Sequence, residues 1–191
     1  MSIVVNVLTP SCSWVAFDGR AQREGKITTE FQRKAIMVNK NVCLGYTGTL
    51  EFAQQVIQNL EKHTVGVSEM KSDTIAYAIK KLLSIATDQL SDIPIVNFLI
   101  TGINSSNKLA TYTLGTKFSI HEHIPSEHQC LCTALYSAQN NLDFPSYMRQ
   151  KMRSGFITED MITTAIRNYI IAVSQIDTSV NTNITFMKIT L

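Results

Sequence analysis

The stretch Ser2-Ile3-Val4-Val5-Asn6-Val7-Leu8, followed across Pro10-Ser11 by Ser13-Trp14-Val15-Ala16-Phe17 and then by Asp18-Gly19-Arg20-Ala21, decides how the rest of the chain is read. The first run is dense in β-branched residues and reads as a strand over Ser2–Leu8. Pro10-Ser11 marks a turn. Ser13–Phe17 is then a second strand, so the chain opens as a hairpin. Ser2 also has a chemical interest. Once Met1 is removed, one residue holds both a hydroxyl and a free α-amine, a nucleophile with its own base. A methionine before a small residue is normally removable, and until it leaves, Ser2 has no free amine.

Working outward, Gly19–Glu30 is polar, contains Gly25, and reads as a loop. Lys34–Val38 and Asn41–Tyr46 form a strand pair joined at Asn39-Lys40. The apolar period then changes from two to that of a helix. Phe52, Val56 and Leu60 predict a helix over Thr49–Lys62. Asp73 is expected to cap a second helix running to about Leu90, with Ile75, Ile79, Leu82, Leu83 and Ile85 on its apolar side. Pro94 closes that region. Ile95–Thr101 and Leu109–Leu114 are strands flanking a turn at Asn104–Asn107, and Lys117–His123 is a shorter one. Glu127–Asn141 is expected to be helical, and Arg149–Arg153 reads as a solvated helix face. Thr158 with Glu159 and Asp160 starts a helix through Met161, Ala165, Tyr169 and Ala172 to about Ser174. Asn183–Ile189 is a closing strand. This order of strands and helices predicts an α+β fold, two antiparallel sheets packed face to face and flanked by helices.

The chain has 191 residues, 45% of them hydrophobic and 17% charged, which suits one globular domain over 1–191. A net charge of +2 with no basic block gives no footprint for nucleic acid. No apolar run reaches the roughly 18 residues of a membrane span, and no signal segment is evident. Cys12, Cys43, Cys130 and Cys132 form no CxxC pair. They read as reduced thiols of a cytoplasmic protein. Trp14 is expected in the core or at an interface. His121-Glu122-His123, with His128, Cys130 and Cys132 nearby, has alternate-residue spacing that a metal site would use. An exposed edge strand beside core cysteines is the preferred reading, so no metal or other cofactor is expected.

Amide hydrolysis by a terminal serine makes four demands. The hydroxyl must lose a proton, which the α-amine accepts directly or through water. A cation nearby tunes that transfer, and a carboxylate fixes the cation. Backbone N–H groups must await the oxyanion. Ser2, Lys34, Asp18 and Gly48 supply these types, Asp18 at the end of one strand and Lys34 at the start of another. Gly48 lies between a strand and a helix, where unpaired N–H groups are found.

On these residues the chain resembles the proteasome-type β subunits and the peptidase subunit of the bacterial ATP-dependent heat-shock protease, members of the N-terminal nucleophile hydrolases. That family has an Asp sixteen positions after the nucleophile in an A-x-D-x-R-A motif, a lysine at thirty-two and an oxyanion-hole glycine at forty-six. Ala16-Phe17-Asp18-Gly19-Arg20-Ala21, Lys34 and Gly48 stand at those spacings from Ser2. The resemblance implies a four-layer αββα sandwich and peptide hydrolysis through an acyl-enzyme on Ser2. It implies supporting roles for Arg20, Asp177 and Ser179, and a mostly apolar substrate pocket at Ala21, Gln32, Ile36, Tyr46 and Leu50. It also implies a homo-oligomeric ring, a peptide or unfolded-protein substrate and an ATP-dependent unfoldase partner.

The chain departs from the family in three places. The nucleophile is Ser rather than the usual Thr, whose methyl fixes its rotamer. Cys132-Thr133-Ala134-Leu135 stands where a Gly/Ser turn precedes the third helix, so the supporting serine is lost unless Thr133 substitutes for it. Asp177-Thr178-Ser179-Val180-Asn181 replaces D-x-x-S-G. Two other functions stay open: a catalytically silent shell or scaffold subunit, and a small-molecule amidase of the same superfamily.

Overall fold

The computed structural model describes residues 3–23, 25–64, 66–88, 90–136, 142–152 and 157–191. In chain order the strands and helices begin β1 (Ile3–Leu8), β2 (Cys12–Asp18), β3 (Ala21–Arg23), β4 (Lys26–Thr29), β5 (Ala35–Asn39), β6 (Val42–Gly48) and α1 (Leu50–His63). They continue with α2 (Ser72–Thr87), β7 (Val96–Ile103), β8 (Leu109–Gly115), β9 (His121–His123), β10 (Leu131–Tyr136), α3 (Phe144–Lys151), α4 (Glu159–Ile176) and β11 (Ile184–Thr190). The fold is α+β, with antiparallel sheets and, among the described residues, four α-helices.

β1 and β2 form the expected hairpin, with Val4 opposite Phe17 and Leu8 opposite Ser13. They are the inner strands of a four-stranded sheet ordered β10-β1-β2-β11. A five-stranded sheet is ordered β5-β6-β7-β8-β9. The apolar run of β1, interrupted by Asn6, follows from burial on both faces. Ile3, Val5 and Val7 pack with Phe144, Met148, Ile166, Tyr169 and Ile170 of α3 and α4. Val4 and Leu8 face the other way and meet Cys43, Leu99 and Leu109 of the five-stranded sheet. A third cluster joins α1 and α2 to that sheet through Phe52, Val56, Leu60, Ile75, Ile79 and Leu83 against Leu44, Phe98, Ile100 and Tyr112.

Among the apolar contacts between the sheets lies a polar cluster. Asn6 Nδ2 donates to Ser13 Oγ (2.7 Å), and Thr111 Oγ1 donates to Asn6 Oδ1 (2.7 Å). Ser13 Oγ lies 2.8 Å from Thr101 Oγ1, which in turn lies 2.8 Å from Thr111 Oγ1. All four residues are fully buried, and each strand pair contributes two. A satisfied buried cluster of this kind fixes the register of one sheet on the other, because sliding would strand its members.

Several expectations are corrected. Gly19–Glu30 is not a loop throughout: β3 and β4 make a short hairpin through Gly25 at φ 76°. Apart from Ala21 and Ile27 its strand side chains are polar, and most are exposed, so no apolar alternation announces it. The helix expected over Glu127–Asn141 is a strand over its described part. β10 pairs with β1 from Leu8↔Leu131 to Ile3↔Tyr136, and this pairing overrides the helical spacing of Leu131 and Leu135. Cys132-Thr133-Ala134-Leu135 therefore belongs to a strand rather than a turn, and 137–141 lie outside the described residues.

Asp73 does not cap α2. Lys71 holds that position, and the Asp73 carboxylate accepts instead from the N–H groups of Thr74 and Ser105. Ile85 is half exposed rather than on the packed face. Of Lys117–His123 only His121–His123 is strand, at the edge of its sheet. Arg149 and Lys151 belong to α3, a helix started by Asp143 accepting from Ser146 N–H, whereas Arg153 lies outside the described residues. α4 starts where expected, with Thr158 accepting from Met161 N–H. Trp14 is core, and its Nε1 donates to Glu159 Oε1. No described helix is long and apolar enough to cross a membrane.

Candidate active site

Asp18 ends β2 beside the start of β1, and its carboxylate is shared three ways. Oδ1 accepts from Ile3 N–H at 3.0 Å and from Lys34 Nζ at 2.6 Å, while Oδ2 accepts from Arg20 N–H at 2.9 Å. Both members of the Asp18–Lys34 pair are essentially without solvent contact, at 0% and 1% exposure. Lys34 immediately precedes β5, not within it, and its carbonyl accepts from Tyr46 N–H of β6. Burial pushes the Lys34 ammonium below its ordinary value, and the Asp18 carboxylate opposes that shift. A cation held in this way is poised to give up charge more readily than a surface lysine. Ser2 lies outside the described residues; it is the residue bonded to Ile3, whose N–H Asp18 holds.

Gly48 ends β6 at φ 103°, where a side chain is strained. A Cβ there would stand 2.2 Å from the Ile95 carbonyl oxygen, so the position also lacks room. Thr49 follows as the N-terminal cap of α1 and its side chain makes no capping bond, which leaves the first-turn N–H groups without a side-chain acceptor. The end of β6 and the start of α1 line a groove of about 850 Å³. Ala21, Gln32, Lys34, Tyr46, Gly48 and Leu50 are among its lining residues, as are Ile95, Phe118 and Tyr136. Four of the five expected pocket residues, with Lys34 and Gly48, are thus gathered at one groove. Ile36 is the correction: it is absent from that lining and packs against the cluster under α1 and α2, because β5 alternates and turns it to that side. Tyr46 is anchored, its hydroxyl donating to Arg33 O at 2.9 Å and accepting from Gln32 Nε2 at 3.3 Å. Its phenol is held above the ordinary value by burial.

Arg20 turns away from the groove, with Nε and Nη2 on Glu30 and Nη1 on Thr178 O. The Arg20 hydrogen bond is the main influence holding the Glu30 carboxyl below its usual range. Asp177 Oδ1 accepts from both the N–H and the hydroxyl of Ser179. The carboxylate also exerts a weak upward pull on Lys34, so this pair belongs to the surroundings of the site rather than its lining. One residue of these surroundings was missed by sequence reading. Asn181 accepts from Gly19 N–H at 2.9 Å and donates to Glu30 O, tying the segment after Asp18 in place. A D-x-x-S-G comparison ends on Asn181 but gives no hint of its tether, which joins positions 162 residues apart.

The histidine and cysteine segment assembles differently. Glu122 accepts from Tyr112 OH at 2.7 Å, and His123 is pushed down by burial. No group of three or more His, Cys, Asp or Glu among the described residues is placed to hold a metal ion. All four cysteines are free thiols. No protein-family model matches the chain, and no curated protein matches its sequence.

Proposed function

We propose that this chain is a proteasome-like N-terminal nucleophile hydrolase that cuts peptide bonds through an acyl-enzyme on Ser2. The observation that carries this reading is the buried Asp18–Lys34 pair, with Asp18 also holding the N–H of Ile3, the residue bonded to Ser2. The three packed clusters support the finer fold, a four-layer αββα sandwich.

Once the residue ahead of Ser2 is gone, its α-amine takes the hydroxyl proton and the alkoxide attacks the substrate carbonyl. Gly48 N–H and the start of α1 receive the developing oxyanion. Lys34, oriented by Asp18, lowers the cost of charge at the nucleophile. The tetrahedral intermediate collapses as the proton passes to the departing amine, leaving an ester on Ser2. Water, deprotonated by the same α-amine, then attacks that ester and frees Ser2. No step needs a cofactor. The groove between Tyr46, Ala21 and Leu50 takes an apolar side chain of a peptide or unfolded protein. A homo-oligomeric ring and an ATP-dependent unfoldase complete the proposal.

The test is exposure of protein proven by intact mass to begin at Ser2 to a β-lactone or epoxyketone inhibitor. One adduct, absent from Ser2→Ala, is expected; an unmodified protein overturns the reading. A second reading, a catalytically silent shell subunit, is favoured by the altered supporting motifs: Cys132-Thr133-Ala134-Leu135 carries no serine and is strand, and Asp177-Thr178-Ser179-Val180-Asn181 departs from D-x-x-S-G. It predicts that Ser2→Ala changes no activity of the assembled particle.

A further inference from the structure

Four charged residues line the groove beside Gly48: Arg23, Lys34, Glu51 and Lys117. The Lys34 ammonium is matched by Asp18. Arg23, Glu51 and Lys117 are exposed, and among the described residues no ion pair or side-chain hydrogen bond engages any of them. The free charges of the lining are therefore two cations against one anion.

Lys117 stands on a fixed support. On one side of it, Thr116 N–H donates to Val96 O at 3.0 Å, and Thr116 Oγ1 accepts from Val96 N–H at 3.2 Å. On the other, Phe118 O accepts from Gly115 N–H at 3.4 Å and from Lys80 Nζ of α2 at 3.2 Å. The backbone around Lys117 is thus held where a cation and the Phe118 ring border the same groove. Arg23 ends β3 and stands directly opposite Lys26 of β4. Glu24, between them, lies outside the described residues. Directly opposed residues of an antiparallel pair share a face, and like charges there destabilise the pair. The hairpin holds two cations against each other where Arg23 borders the groove, a repulsion that an anionic ligand relieves.

We propose that the groove selects peptides in which an acidic side chain accompanies the apolar one, with Arg23 and Lys117 receiving its carboxylate. This rests on the proposed function and names the substrate class of that site. Glu51, in the first turn of α1 close after Gly48, repels a carboxylate from that part of the groove and leaves the cations as its place. Exposed charges each contribute modestly in water, so the selectivity is one of degree and weakens with salt.

The experiment uses protein proven by intact mass to begin at Ser2 and fluorogenic peptides that differ only in carrying Glu, Gln or Lys at the positions flanking the apolar residue. kcat/KM is expected to run Glu above Gln above Lys, with Glu exceeding Lys about tenfold at low salt, the product of two exposed charge contacts. The difference should shrink as salt is raised. Arg23→Glu combined with Lys117→Glu should reverse the order. Arg23→Glu should not lower the melting temperature, because it places opposite charges across the hairpin. Equal rates for the three peptides, or an order unchanged in the double variant, overturn the proposal while leaving Ser2 as nucleophile. If no peptide is cut, the peptidase reading fails, and equilibrium binding of the same peptides, followed by fluorescence anisotropy, decides. Tighter binding of the Glu peptide, reversed in the double variant, upholds the acidic preference; equal binding, or none, overturns it.

Discussion

Lys34 Nζ stands 2.6 Å from Asp18 Oδ1 with neither side chain open to water, so each charge depends on the other. Removing one member leaves the other buried and unpaired. Asp18→Ala is expected to cost about 3–5 kcal/mol, and it also deprives Ile3 and Arg20 of an acceptor. Lys34→Met combined with Asp18→Leu should cost less than the two single losses added together. Denaturant unfolding of wild type, Asp18→Ala, Asp18→Leu, Lys34→Met and the double variant checks both statements, and additive losses would contradict the pairing.

Gly48→Ala should impair stability and acylation together. The positive φ alone costs about 1–3 kcal/mol for a residue with a side chain, and the Ile95 carbonyl leaves no room for a methyl group. Relief requires that the turn into α1 move, which displaces the N–H groups of the groove. Thermal unfolding and the inhibitor acylation rate measured on one preparation provide the check.

The polar cluster between the sheets predicts a register effect. Thr111→Val removes the hydroxyl that donates to Asn6 Oδ1 and stands 2.8 Å from Thr101 Oγ1. A loss of about 1–3 kcal/mol is expected for the stranded Asn6 acceptor. Replacing Asn6 and Thr111 together by apolar residues should recover part of it. Hydrogen exchange of the β1 and β8 amides would register the loosening.

Cys43 ties stability to alkaline pH. Burial holds its thiol at about 12, against 9.0 in the open chain. Between those values the unfolded chain has lost a proton that the folded chain keeps, so stability falls as pH rises from about 9 toward 12. The loss attributable to this thiol is about 1.4 kcal/mol by pH 10. Cys43→Ala should show a shallower decline over that range, measured by denaturant midpoints at successive pH values. At pH 8 a thiol reagent should modify the partly exposed Cys12 well before Cys43.

Much of this arrangement was legible because it is local. The β1–β2 hairpin, α1 and the Thr158 cap of α4 are written in runs, periods and caps within a few residues of each other. Asp18, Lys34 and Gly48 were picked out because they stand at the spacings of the family that the chain resembles, and the fold brings Asp18 and Lys34 into contact. What escaped depends on distant partners. Leu131–Tyr136 carries helical spacing yet becomes strand because β1 offers it an open edge six residues long. Phe144–Lys151 is short and was read only at its charged end. Ile36 was assigned to the pocket by correspondence, while the alternation of β5 turns it away. Asn181 is a polar residue whose significance lies in what surrounds it, and it has no sequence pattern to announce it.

β1 lies between β10 and β2 rather than at an edge, and the consequence is metric. Both of its faces are committed, so a one-residue slip would drive Val5 and Val7 to the wrong side and Asn6 out of its cluster. The sheet therefore works as a fixed ruler for whatever is attached to Ile3. Inserting one glycine between Ser2 and Ile3 cannot be absorbed by the strand and must push the serine outward by a full residue, turning a change of chain length into a change of reach.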